Sequence, residues 1–197
     1  MDEINARQEL AFIKKVMDDS RRIISDDGKG FVFWGVLITI GLLATYFSVI
    51  YKWHYLNWFW PALIGFGWIY TIIAAARKEK RVKTRTLAGK IMTAVWIGCG
   101  VAMTIIGFAG TITGAYGVWL ISPLISIVLG VGYMATGVIS GKTWISLLSI
   151  GWWAGAVIML FMYNLETLLV MAAMMILFQT IPGIMLYAES EKLINDE

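Results

Sequence analysis

The residues able to do chemistry in this chain are few. It has one histidine, His54, and one cysteine, Cys99. A structural zinc site takes four Cys/His ligands and a bis-histidine haem takes two imidazoles, so a single chain supplies neither. No metal or cofactor is expected. Hydroxyls are present at Thr39, Ser122, Ser126 and Ser149, but no histidine, lysine or carboxylate shares their apolar stretches. A serine or threonine nucleophile needs such a base, so the chain is not expected to be an enzyme.

Neutral polar groups remain. Gln179-Thr180-Ile181-Pro182-Gly183 gathers an amide, a hydroxyl and a proline within one apolar run. Pro182 cannot donate to the Phe178 carbonyl, which kinks a helix and frees an acceptor. Gln179, Thr180 and Pro182, with Ser122 and Ser126, are the candidate lining and hinge of a neutral pathway. The plainer alternative for the kink is closure by local hydrogen bonds, common around prolines in membrane helices. Gly151-Trp-Trp-Ala-Gly155 is a GxxxG, which serves either packing within a bundle or a homo-oligomer interface. Met159, Met162, Met171, Met174 and Met175 offer soft sulfur suited to Cu(I), against the commoner use of methionine as a gap-filler.

The elements that position these groups are set by composition. Of 197 residues, 59% are hydrophobic and 15% charged, against about 45–50% and about 25% in soluble proteins. Mean hydropathy is +0.74. A soluble globule of this size cannot hide so much apolar surface, which excludes a soluble enzyme or a nucleic-acid-binding domain and leaves the lipid bilayer as solvent. Charged side chains are absent from 30–51, 53–76, 91–141, 143–165 and 167–188. A helix needs about 20 apolar residues to cross the hydrocarbon. The 51-residue stretch 91–141 is two spans, broken at the Gly/Thr-rich segment 110–117. The expectation is an all-α, polytopic protein with six transmembrane helices at about 31–51, 57–76, 91–109, 118–139, 144–162 and 166–187. Asn164 and Glu166 read as cap and first-turn acid of the last span. The runs do not alternate in polarity as barrel strands do.

Fifteen of the sixteen lysines and arginines fall on one side of this layout, with only Lys52 on the other. Basic loops stay cytoplasmic, so both termini are expected inside, in the inner (plasma) membrane. The bundle occupies 30–188, between a charged segment 1–29 and a short acidic tail 189–197. Leu10, Ile13, Met17 and Ile24 give residues 4–24 an amphipathic helical pattern, which lies on the membrane, packs under the bundle or binds a partner. Arg77, Lys78, Lys80, Arg81, Lys83 and Arg85 form a basic loop suited to anionic headgroups or to a cytoplasmic protein. The N-terminal segment holds seven acids against six bases, a poor match to nucleic acid. Glycine pairs 32 residues apart, such as Gly35/Gly67, Gly100/Gly132 and Gly151/Gly183, suggest three helical hairpins related by a weak internal repeat.

No ionisable group lies at mid-depth in any span, where coupled carriers and voltage sensors need one. The leading expectation is a passive channel, transporter or binding pocket for a small neutral or apolar solute. The alternative is a membrane-anchored sensor acting through its N-terminal helix and basic loop. A fluorescent protein fused after Glu197 is expected to fluoresce, and alkaline phosphatase fused there to be inactive. The reverse pattern puts the C-terminus outside.

Overall fold

Residues 28–53, 58–81 and 87–195 are described by a computed structural model, and among them every regular element is helical. Six helices are long and apolar enough to cross a membrane, as the charge-free stretches predict. They are α1 (Gly28–Ile50), α2 (Phe59–Arg81), α3 (Leu87–Thr113), α4 (Val118–Ser140), α5 (Thr143–Leu160) and α6. Helix α6 consists of Thr167–Met174, a π turn at Met175–Thr180, and Ile181–Asn195. The amphipathic pattern at 4–24, His54, Lys83 and Arg85 lie outside the described residues.

In lipid there is no hydrophobic force between helices, so association rests on close packing and interhelical hydrogen bonds. Four tryptophans supply both at once. Each lies on a Gly-x-x-x-Thr segment of a neighbouring helix. Trp34 of α1 donates its indole N–H to Thr71 of α2 (3.0 Å), and Trp60 of α2 donates back to Thr45 of α1 (3.0 Å). Trp68 of α2 donates to Thr104 of α3 (3.4 Å), and Trp96 of α3 to Thr136 of α4 (3.0 Å). Every one of these threonines sends its own proton to the glycine carbonyl four residues back, at 2.7–2.9 Å. Its oxygen is left to accept from the indole. The glycine makes room for the ring: an added Cβ on Gly67 would lie 2.4 Å from Trp34, and those on Gly41, Gly100 and Gly132 3.0–3.3 Å from Trp60, Trp68 and Trp96.

The other half of the bundle closes through backbone contact. Gly141 ends α4 with φ +65, and Lys142 N–H bonds back to Gly137 O (3.0 Å), a Schellman closure. Helix α5 therefore returns directly along α4, and an added Cβ on Gly137 would lie 2.3 Å from Ser146 N. Helices α1 and α6 meet as closely, with positions 2.5 Å from Tyr187 N for Gly28 and 2.8 Å from Val32 N for Gly183. The glycines spaced 32 residues apart are not contacts with one another. Gly35 faces Thr180, Gly67 faces Trp34, Gly151 faces Phe178 and Gly183 faces Val32.

Two local expectations need correction. Helix α3 continues past 109 to Thr113, so the break expected at 110–117 occupies only its second half, from Gly114 to Gly117. The Thr111 and Thr113 hydroxyls donate to the Gly107 and Ala109 carbonyls (both 2.7 Å), so threonines that favour turns in water satisfy their hydroxyls within the helix here. A π turn at Ile105–Ala109 makes Gly110 N–H reach back to Ile105 O, and the Tyr116 hydroxyl donates to the Ile106 carbonyl. The start of α6 carries no side-chain cap, so Asn164 does not cap it. Backbone turns from Thr167 N to Asn164 O (3.3 Å), Leu168 N to Leu165 O (3.1 Å) and Leu169 N to Glu166 O (2.9 Å) already satisfy the first N–H groups.

Overpacking a tight site costs about 1–3 kcal/mol. Gly28→Ala and Gly183→Ala are each expected to lower the thermal midpoint in detergent micelles. Gly30→Ala and Gly65→Ala, whose Cβ atoms would meet nothing within 4 Å, leave it unchanged or raise it.

Candidate functional site

Along α4 the buried residues Ser122, Ser126, Leu129, Tyr133, Thr136 and Ser140 recur every three or four positions. This is the stripe of an amphipathic helix turned inside out, with its polar face inward because the solvent is lipid. Tyr133 is 1% exposed. A buried tyrosine needs a partner for its hydroxyl, and Tyr133 donates to Oε1 of Gln179 on α6 at 2.6 Å. Gln179 is itself 4% exposed and sits in the π turn, a kind of irregularity frequent at functional sites.

Aromatic rings from three other helices, α1, α3 and α5, meet Tyr133. Tyr133 meets Phe31 of α1 at 5.6 Å, Trp96 of α3 at 5.8 Å and Trp152 of α5 at 5.9 Å between centroids. Phe31 and Trp96 are edge to face at 5.1 Å, and Trp152 meets Phe178 of α6 at 5.9 Å. The polar groups nearby are occupied. Ser126 Oγ donates to the Trp152 carbonyl (2.6 Å), Ser149 to Ser146 O (2.6 Å) and Ser140 to Thr136 O (2.7 Å). Among the described residues, the one buried side-chain polar atom without a partner is Trp152 Nε1. The result, among the described residues, is an uncharged interior with hydrogen-bonding capacity.

The candidates from sequence are thus distributed unevenly. Gln179 and Ser126 converge on this cluster, through Tyr133 and Trp152. Ser122 is buried further along the same face of α4. Thr180 turns toward α1, packing on Gly35 and donating to Met175 O (3.1 Å). Pro182 is buried just after the π turn, where Ile181 N–H reaches back five residues to Ile176 O, so the hydrogen-bond register shifts before the proline is met. Gly151 packs under Phe178 and Gly155 under the Met174 thioether, both toward α6. Met159, Met171, Met174 and Met175 are buried. No group of three or more His, Cys, Asp or Glu residues gathers among the described residues. Arg77 is exposed at the end of α2. Lys78, Lys80 and Arg81 lie in the last turns of α2, with side chains outside the description.

Charge collects at the end of the bundle where α1 begins. Lys142, 9% exposed, is ion-paired with Glu189 of α6. Lys29 Nζ lies 4.7 Å over the Tyr187 ring, and the Tyr187 hydroxyl donates to Glu191. These contacts tie the first turn of α1 and the α4–α5 turn to the last turns of α6.

Tyr133, Trp96, Trp152 and Phe31 are not among the candidates that the sequence singles out. The available signal was a tyrosine in the interior of a span, where its hydroxyl requires an acceptor. No protein-family model, curated protein or solved structure matches this chain.

Tyr133→Phe leaves the Gln179 carbonyl oxygen buried without its donor, a loss of about 1–3 kcal/mol. Gln179→Leu orphans the Tyr133 hydroxyl with a similar effect. The double variant is expected to unfold closer to wild type than the sum of the singles in thermal melts. Strict additivity indicates that the bond does not form.

Proposed function

We propose that the protein holds or passes a small neutral or apolar solute within its six-helix bundle, without coupling to an ion. The observation that carries this reading is the Tyr133–Gln179 pair, an uncharged hydrogen-bonded couple walled by rings from three other helices beside a π turn. Its supports are physical. A membrane interior tolerates neutral polar groups that are paired. Ion-coupled carriers concentrate ionisable residues along their pathway, and 30–50, 59–76, 91–113, 118–141, 143–160 and 167–188 contain no Asp, Glu, Lys, Arg or His. On the same reading the chain is an inner (plasma) membrane protein with both termini cytoplasmic, its helices forming three weakly repeated hairpins.

A second reading, a sensor acting on a cytoplasmic partner, draws support from the charged end. There Lys29 meets Tyr187 and Lys142 meets Glu189, so the first turn of α1 and the α4–α5 turn both bear directly on α6.

Glycerol and urea entry into proteoliposomes, followed by stopped-flow light scattering, tests the first reading. Protein-dependent flux that ignores imposed proton and sodium gradients, and that Gln179→Phe reduces, is the expected outcome. Accumulation driven by either gradient overturns it. Deleting residues 1–27 leaves the flux intact on this reading and abolishes partner capture on the second.

A further inference from the structure

Five indoles in the bundle have fixed acceptors. Trp34, Trp60, Trp68 and Trp96 donate to threonine hydroxyls, and Trp153 donates to the Ile127 carbonyl at 3.3 Å. Trp152 breaks the pattern. It is 0% exposed, and its Nε1 has no partner among the described residues. An N–H removed from water without an acceptor is unfavourable, and such a group in a native core calls for a physical reason. The chain supplies indole acceptors elsewhere with a threonine four residues after a glycine, so the lack of one here is not a limit of its chemistry.

The surroundings of Trp152 define what would satisfy it. Rings flank the indole, Tyr133 and Phe178 both at 5.9 Å between centroids. Phe178 approaches because position 151 is glycine, where an added Cβ would lie 2.8 Å from that ring. The nearby hydroxyls already donate: Ser126 to the Trp152 carbonyl, Tyr133 to Gln179 and Ser149 to Ser146 O. Among the fully buried side-chain atoms of the described residues, the Trp152 N–H is the one donor that remains, set between rings.

We propose that the Trp152 indole N–H is the recognition group of the interior site. The species it takes is a small uncharged molecule with an apolar body and one hydrogen-bond acceptor, a carbonyl or ether oxygen. This inference rests on the proposed function and specifies its solute. An anion would be stripped of water with no cation at this depth to pair it. A cation gains nothing from an N–H dipole pointing its positive end outward. Water satisfies the indole but brings two O–H donors of its own, and a buried water normally needs several polar partners. An acceptor-only solute matches a donor-only site, and a site built around one hydrogen bond discriminates against the analogue that lacks it.

The full-length protein, with 15N-labelled tryptophan and reconstituted in nanodiscs, tests this by NMR of the indole N–H signals. The chain has ten tryptophans, and the Trp152 signal is the one lost in Trp152→Phe. Replacement of Trp152 by benzothienylalanine, which puts sulfur in place of the N–H and keeps the shape, covers the case in which the phenylalanine variant fails to fold. The probes are cyclohexanone and methylenecyclohexane, matched rings that differ in the acceptor oxygen. Cyclohexanone is expected to move the Trp152 proton downfield saturably and to bind on the order of tenfold more tightly than methylenecyclohexane. The sulfur analogue should erase that preference while both probes still bind. Equal binding of both probes to the native protein overturns the role of Trp152 and leaves the proposed function standing. A Trp152 proton that exchanges magnetisation with a resident water and ignores cyclohexanone, while other interior indoles respond, also overturns that role alone. If neither probe perturbs any interior indole, the inference and the proposed solute site fall together.

Discussion

A threonine hydroxyl has one proton to give and two lone pairs to accept with, and the way this protein divides them organises its first four helices. The proton goes to the carbonyl of the glycine four residues earlier, on the same face of the same helix. The lone pairs are left facing outward, beside the smooth surface where the glycine has no side chain. A tryptophan from the adjacent helix fits both features, ring on glycine and N–H on threonine. Each such socket provides close packing and one directional bond, the two sources of helix association that remain when the solvent is hydrocarbon. Two sockets in opposite sense fix α1 against α2. Single sockets then carry the chain to α3 and α4.

Helices α5 and α6 are joined differently, and the difference bears on function. Around α4, α5, α6 and the start of α1, glycines meet backbone at Ser146, Tyr187 and Val32, the Met174 side chain, and the rings of Trp153 and Phe178. Close backbone approach brings α4 and α6 near enough for Tyr133 to reach Gln179, and brings Phe31 of α1 onto the same ring cluster. Helix α2 stands at the other extreme, with most of its surface turned away from the bundle. The polar content of the interior is thus concentrated where packing is tightest, and all of it is neutral. Charge collects at the end where Lys29, Lys142, Glu189 and Glu191 meet, with Lys52 and Glu166 at the opposite end.

Two π turns mark where regular helix geometry yields. In α3 the register shift bypasses the Ile106 carbonyl, and Tyr116, folded over Gly110, donates to it. In α6 the shift comes just before Pro182, and Thr180 turns its hydroxyl onto Met175 O. Lipid offers no water to repair an open carbonyl, so each irregularity is accompanied by a side-chain hydroxyl within reach. The proline of α6 becomes tolerable by the same means, and Gln179 lies within that irregular turn.

The sequence by itself determined the six helices and roughly where each runs, because spans follow from where charge is absent and the bilayer fixes their length. It also determined that the interior is uncharged, and it singled out Gln179 and Ser126, since isolated polar residues in apolar runs are conspicuous. It misjudged the end of α3 and the cap of α6, where threonine back-bonding and backbone turns replaced the rules that hold in water. Only the tertiary structure decided that Trp34, Trp60, Trp68 and Trp96 sit in Gly-x-x-x-Thr sockets and that Tyr133 meets Gln179. It also decided that Trp152 alone among the buried described side chains keeps an unmatched donor. These facts belong to pairs of residues tens of positions apart in the chain. A single sequence shows each partner's chemistry, but the helix rotations that bring partners face to face arise from packing all six helices at once.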